Sequence, residues 1–374
     1  SFLAFALGHG ESDAFDMPTS AHGQSNYPIT QSPDYPMNPY PFRTRPYLRP
    51  KVWGGDRIPR LTGRSPDHDD PVGEAWEASD RPEGESMVDS GPLAGDPLSS
   101  LVDRWGTDLV GSAASGEGFP LLVKIIDAAD DLSVQVHPSQ LDVETHFPDA
   151  ESKDECWLVL ESNKGSLLHG VQPGVDADSF RRAVENGDPV DMLRRVDVEP
   201  GHAVRIVPGT IHAICRGVTL LEIQQPSDTT YRVYDYNRPG LDGEPRQLHL
   251  DRAMTVANFG EQPPTELAGE SLSFNDGDRR LIVDTPDYRV ESLAFDGAAT
   301  WQVDDASVQI VFNRGGDVRL DSQGSGDTGF ELAPFQSAIV PAAVEAIGAE
   351  TAAEDDASDL VVAGLGGVPL AVDD

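Results

Sequence analysis

From Pro46 onward, short apolar runs alternate with clusters of Gly, Pro and Asp: Leu121-Leu-Val-Lys-Ile-Ile126, Leu132-Ser-Val-Gln-Val-His137, Cys156-Trp-Leu-Val-Leu160 and Val218-Thr-Leu-Leu-Glu-Ile223. Apolar runs of this length, bounded by turn residues, predict strands, and many in series predict a mainly β chain of sandwich or jelly-roll type. One stretch departs from the pattern. Between Asp176 and Val196, the apolar Phe180, Val184, Met192 and Leu193 stand among charged residues, which predicts two short helices split at Gly187-Asp-Pro189.

The same pattern divides the chain. Residues 1–45 are rich in Ser, Pro, Tyr, Asn and His without an apolar period, and are expected to form a mobile or loosely docked extension. Residues 46–260 hold the first series of strands. A Pro- and Glu-rich linker, Gly260-Glu-Gln-Pro-Pro-Thr-Glu266, precedes a second strand-rich block, which defines a second β domain over 275–374. That block contains no histidine, so metal chemistry is expected in the first.

Composition narrows the function classes. Sixty-four acidic residues against 27 basic ones give a net charge of −37, a field that repels a phosphate backbone and argues against nucleic acid as a partner. The only lysines are Lys51, Lys124, Lys153 and Lys164. Such strong self-repulsion is screened only at high salt, and the expectation is a halophile-type protein. Two cysteines, Cys156 and Cys215, in apolar strand-like segments read as buried free thiols in a reducing, cytoplasmic compartment. The apolar start, Ser1 to Gly8, lacks a basic flank and falls far short of the roughly 20 residues that a membrane span needs, so no membrane partner is expected.

Gln135 and His137 lie two apart in an alternating run, so on a strand their side chains share a face. Glu155 stands directly before an apolar strand, and His212 follows the turn Pro208-Gly-Thr-Ile211. Two histidines and a carboxylate, with Gln135 in reach, match a catalytic zinc site of three protein ligands and an open position, although nickel, iron or manganese could use the same set. The segment from Leu220 to Arg238 places Glu222 and Gln224 on one strand face and adds Arg232 among aromatics. A guanidinium there suits an anionic substrate, since a chain this acidic must assemble cations locally to hold one.

Seven segments in order carry a resemblance: Lys51-Val-Trp-Gly-Gly55, Gly73-Glu-Ala-Trp-Glu77, Phe119 to Asp127, Leu132 to Pro138, Asp154-Glu-Cys-Trp157, Pro208 to Ile214, and Leu220 to Arg238. Together they resemble the type I mannose-6-phosphate isomerases of the cupin superfamily, in the short bacterial and archaeal form, over residues 46–373. The resemblance implies two cupin β-barrels with a small helical insertion, and a zinc-dependent aldose-ketose isomerase interconverting mannose 6-phosphate and fructose 6-phosphate through an enediol. It implies one Zn2+ per chain on His137, Glu155 and His212, with Gln135 matching a further ligand of the long forms. Arg232 falls on the family's active-site arginine, and Lys124 and Glu222 on polar positions directed into the pocket.

Glu222 and Lys124 are accordingly the expected proton carriers, with Arg232 opposing the enediolate charge or holding the phosphate. His146, His169, His202 and His249 are expected to be structural or surface residues, and Trp53 and Trp76 to pack a core. Competing readings are a non-catalytic cupin that binds sugar phosphate, an iron-dependent cupin oxygenase with the same ligand triplet, and a cupin-type phosphoglucose isomerase. The pattern fixes no oligomeric state.

Overall fold

The computed structural model describes residues 38–187, 189–322, 329–352 and 357–373. Its strands form two pairs of sheets and a two-stranded ribbon, Asp80–Arg81 with Gly84–Glu85. In the first pair, six antiparallel strands run in the spatial order Ala203–Ile206, Glu155–Ser162, Val218–Gln224, Leu122–Asp127, Val72–Ala78 and Tyr47–Gly55. Five more follow the order Leu193–Asp197, Ser166–Val171, His212–Ile214, Val134–Val136 and Tyr231–Tyr234. Both Val218–Gln224 and Leu122–Asp127 are buried at every position, because each is flanked on two sides in the middle of its sheet.

Apolar side chains from both sheets meet in one core: Trp157, Val159, Val204 and Leu220 from the six-stranded sheet, Leu167 and Ile214 from the five-stranded one. A second cluster covers the other face of the five-stranded sheet, where Phe180 and Val184 of the helix Ala177–Glu185 and Ala253 and Val256 of Leu250–Val256 pack on Val134, Val136 and Leu168. The first of these helices starts where the sequence dictates. The Asp176 carboxylate accepts a hydrogen bond from the Ser179 amide, and the Asp176 amide donates one to Ser179 Oγ, a reciprocal cap.

The second half of the expected helical stretch is different. Only Val190–Met192 makes a single 3₁₀ turn, and Leu193–Asp197 is an edge strand paired with Ser166–Val171. Leu193 and Met192 fit a helical period, but Pro189 supplies no amide to continue a helix, and the unpaired edge of Ser166–Val171 claims the chain instead.

The other pair comprises an eight-stranded and a four-stranded sheet built largely from residues 270–365, closed on Leu293, Trp301, Val311, Leu320 and Ile347. Two of its eight strands come from far earlier. Phe42–Arg45 pairs with Ser337–Val340 on one side and Met87–Val88 on the other. The chain is therefore ordered into a sheet before residue 46, and the strand-forming residues of the expected extension belong to the fold, whereas its residues 1–37 lie outside the described residues. Phe42 is completely buried, which gives the segment the apolar anchor that its polar composition concealed. Residues 39–374 form one compact unit, with the expected boundary at 260–275 inside it. The architecture is mainly β, as the periodicity requires. Cys156 and Cys215 are buried free thiols, and no helix among the described residues is long and apolar enough to cross a membrane.

Candidate active site

Two rows of residues, one on each sheet of the first pair, build the site. Across the five-stranded sheet the Cα partners run His169, His212, Gln135, Arg232. Across the six-stranded sheet they run Trp157, Glu222, Lys124, Trp76. Because directly opposed residues on adjacent strands put their side chains on one face, the first row is a line of polar groups and the second sets Glu222 and Lys124 between two tryptophans. Glu155, at the start of its strand, is partnered with Gln224, two positions along from Glu222 on the same face.

Where the rows meet, one ligand atom each from His137, Glu155 and His212 lie within 4.8 Å of one another, all three residues being buried. His137 Nε2 is 3.4 Å from Glu155 Oε1, and His212 Nε2 is 3.9 Å from Glu155 Oε2. Each imidazole donates from Nδ1 to a backbone carbonyl, His137 to Thr229 at 2.9 Å and His212 to Thr210 at 2.8 Å. Those bonds leave both Nε2 atoms unprotonated on the side of the carboxylate, that of His212 also accepting from the Gln135 amide. Burial and the neighbouring imidazole push the His212 pKa down to about 3, and burial with the Lys153 charge lowers that of His137. Burial opposes ionisation of Glu155, but Lys153 and the two imidazoles overcome it and hold its carboxyl well below the usual range.

Two neutral imidazoles and an anionic carboxylate are the protonation states a divalent metal needs. His137 Nε2 and Glu155 Oε2 are buried without a hydrogen-bond partner, an arrangement that is costly unless something else binds there. The donor set thus fits a metal cofactor. Gln135 adds a fourth polar group, its Nε2 at 3.3 Å from His212 Nε2.

A cavity of about 220 Å³ opens beside this group, lined by Lys51, Lys124 and Lys153 together with Arg49, Arg232 and Arg246. Three of the four lysines in the chain converge here. Each is matched to a carboxylate: Lys51 to Glu74 at 2.8 Å, Lys124 to Glu222 at 3.0 Å, Lys153 to Glu155 at 2.6 Å. Arg49 meets Asp228 at 3.0 Å. Arg232 is held otherwise, by Ser133 Oγ at 3.3 Å and the Gln247 carbonyl at 2.9 Å, neither of which neutralises it. Burial and the adjoining Arg246 and Arg238 charges lower its pKa, the signature of a cation that gains from an incoming anion. A larger cavity, about 420 Å³ between the loops 113–118 and 225–227, has no lysine, arginine or histidine in its lining, so of the two only the smaller offers cations to a ligand.

Glu222 is fully engaged. Lys124 donates to its Oε1, Trp157 Nε1 donates to its Oε2 at 2.9 Å, and Lys124 also donates to Gln224 at 2.8 Å. Burial and the nearby Glu155 charge raise the Glu222 pKa. Lys124 further sits 5.2 Å above the Trp76 ring, so that Trp76 both packs the sheet and faces a buried cation. Trp53, also buried, lines the cavity wall.

Several lining residues were not singled out from the sequence. Lys51 reaches the cavity because residue 73 is glycine: a Cβ there would lie 2.5 Å from the Lys51 Cβ and 2.7 Å from the Trp53 ring. His249, half-buried, lines the cavity, and its Nδ1 accepts the Arg232 amide at 3.2 Å, a structural role as expected. The crowding of scarce lysines was the available signal for Lys51 and Lys153. Nothing local marks Arg246 or His249. His169 is buried with Nε2 on the Arg205 carbonyl, outside the cavity lining.

The cupin-type β fold and the buried His–Glu–His group define a metal-binding enzyme class, and comparison with known proteins narrows it. The family description "Phosphomannose isomerase type I, catalytic domain" matches residues 42–166. The mannose-6-phosphate isomerase of Streptococcus mutans is 33% identical over 265 residues, 70% of this chain and 81% of that protein. Among solved structures, the mannose 6-phosphate isomerase of Bacillus subtilis aligns at a TM-score of 0.77 and 27% identity, covering 87% of this chain and 99% of that one. A zinc-bound mannose 6-phosphate isomerase shares the fold at a TM-score of 0.70 and 17% identity, over 88% of this chain and 100% of that one. The chain belongs to the type I mannose-6-phosphate isomerase family.

Proposed function

We propose that the chain interconverts mannose 6-phosphate and fructose 6-phosphate, with one zinc ion on His137, Glu155 and His212 and with Gln135 beside it. The observation that carries this reading is the convergence of three of four lysines and Arg232 on one cavity next to the His–Glu–His group, in a chain of net charge −37. The lysines are matched to carboxylates, but Arg232 is held only by Ser133 and the Gln247 carbonyl, which leaves its charge to favour an anionic ligand. The half of the chain that holds the site, 46–260, is on this reading the catalytic part, and 275–374 the part without metal ligands.

The reaction requires the sugar ring to open, a proton to leave C2 and a proton to arrive at C1 through an enediol. When bound, zinc supplies Lewis-acid polarisation and a template for the sugar oxygens. Everything else falls to side chains. Arg232, the cavity cation without a carboxylate, faces the charge that develops on the enediolate or takes the phosphate as a bidentate partner. Lys153 keeps its proton, its pKa raised by Glu155 and Glu222 against the pull of burial, and so acts as fixed positive charge. The Lys124–Glu222 pair is the proton carrier on this reading: the two groups touch at 3.0 Å on the cavity wall, and burial with the Glu155 charge raises the Glu222 pKa.

The test is a coupled isomerase assay on mannose 6-phosphate in molar potassium chloride, on protein as purified, after chelation, and after zinc is restored. Turnover that vanishes on chelation and returns with zinc is expected. Folded, zinc-loaded protein without turnover would overturn the reading in favour of a sugar-phosphate-binding protein. Consumption of oxygen with iron bound would replace it with an oxygenase.

A further inference from the structure

The loop that delivers Lys153 and Glu155 to the site is held from the sheet pair that carries none of the metal-ligand candidates. Asp154, between those two residues, points away from the cavity and is buried. Arg205, on the neighbouring strand, donates to both of its oxygens, from Nε to Oδ1 at 3.0 Å and from a terminal nitrogen to Oδ2 at 2.8 Å. Tyr288, at the start of Tyr288–Phe295 in the eight-stranded sheet, donates its phenol to Asp154 Oδ1 at 2.5 Å and is itself fully buried. The Asp154 amide donates to Gln225 Oε1 at 3.0 Å, and the Gln225 amide returns a bond to the Asp154 carbonyl at 3.3 Å.

Residue 154 is thereby fixed at its backbone from one strand end and at its carboxylate from two others. Lys153 and Glu155 flank it: the Lys153 ammonium lines the cavity and lies 2.6 Å from the Glu155 carboxylate, which in turn meets His137, whereas the Asp154 side chain is bound to Arg205 and Tyr288. A rotation of the Asp154 peptide unit would move the Lys153 ammonium and the Glu155 carboxylate together.

We propose that Tyr288 is a positioning residue for the metal centre: through Asp154 it sets where Glu155 meets His137 and His212. The inference rests on the reading of those three residues as metal ligands. It assigns the eight-stranded sheet a part in the active site that its lack of ligands hides. Outer groups that orient a metal ligand govern affinity and coordination geometry as well as turnover.

The test is cobalt(II) binding to the full chain, wild type and Tyr288→Phe, read by dissociation constant and by the visible absorption of the bound ion, with substrate kinetics alongside. Phenylalanine fills the same space and removes only the hydroxyl. The expected result is a dissociation constant weakened about 10-fold, an altered absorption band, and a fall in kcat larger than any change in KM. If Tyr288→Phe does not fold, Asp154→Asn gives the same readings with the tyrosine ring left in its core. Wild type and variant that bind cobalt with equal affinity and the same spectrum overturn the inference alone. A wild type that binds no cobalt overturns the metal reading and the inference with it.

Discussion

Gln135 and His212 face each other across adjacent antiparallel strands, their Nε2 atoms 3.3 Å apart. The imidazole Nδ1 proton is spent on the Thr210 carbonyl, so the amide donates to the very lone pair that a metal would claim. A metal on His212 must break that bond, after which the Gln135 amide can turn its oxygen inward. Gln135→Leu removes the donor and the possible ligand together. Zinc affinity is expected to fall about 10-fold, not to be abolished, as measured by competition with a chelator. Loss of stoichiometric zinc would make Gln135 a full ligand.

His212→Ala and Arg232→Ala separate holding the metal from using it. The first is expected to lose both zinc and turnover. The second is expected to keep its zinc while kcat/KM falls on the order of 100-fold or more, the scale of removing one charge-stabilising donor. Metal analysis of both proteins decides, and equal zinc loss would merge the two roles.

Glu222 and Lys124 are directly opposed on their strands and buried as a pair. Glu222→Gln keeps the shape and the Trp157 bond, so the expected outcome is intact folding and zinc with turnover reduced at least 100-fold. Lys124→Met leaves the Glu222 carboxylate buried beside Glu155 without its partner, which costs about 3–5 kcal/mol. Denaturation midpoints and kcat for the two variants test this. Full turnover in Glu222→Gln would reduce the pair to a structural one.

Glu77 gives a pH-dependent prediction away from the site. Burial pushes its pKa up to about 7 from the ordinary 4.5, against the opposing pull of Arg64 and Ser337. The folded state therefore holds a proton that the unfolded chain releases between these two values, and stability falls as pH rises through that window. Above it the penalty is complete, about 3 kcal/mol from the 1.36 kcal/mol carried by each unit of pKa shift. Glu77→Gln should be as stable as wild type near about pH 4 and more stable by roughly that amount near about pH 8, as read from urea midpoints. The same difference at both values would discount titration of Glu77.

The net charge of −37 makes a statement about solvent. Self-repulsion among exposed carboxylates is screened once the Debye length shrinks to about 3 Å in molar salt. Thermal midpoint and activity are expected to rise from dilute buffer to molar potassium chloride. Equal stability in both would remove the halophilic reading.

The strands and the donor set could be read locally, for a physical reason. His137 and His212 stand at turn-bounded strand ends, and Glu155 begins an apolar run, so alternation alone puts each on a definite face. What could not be read comes from pairings between remote segments. Lys51 enters the cavity through space left by Gly73, and His249 reaches it by capping the Leu250–Val256 helix against the Arg232 strand. The division at Gly187-Asp-Pro189 misled because Met192 and Leu193 satisfy a helical period, while the open sheet edge that recruits them is invisible in the local sequence.

The strand Phe42–Arg45 has a consequence for how the chain is made. Thr44 Oγ1 donates to the carbonyl of Ser337, 293 residues further along. During synthesis the early strand must wait, one edge open, until the segment through Val340 has emerged, since loop closure over that span precedes any reward from that pairing. A chain stopped near residue 260 would retain every metal ligand candidate and still present a strand paired only with Met87–Val88, its other edge open to its neighbours. Nascent chains at that stage are where a chaperone would be needed most.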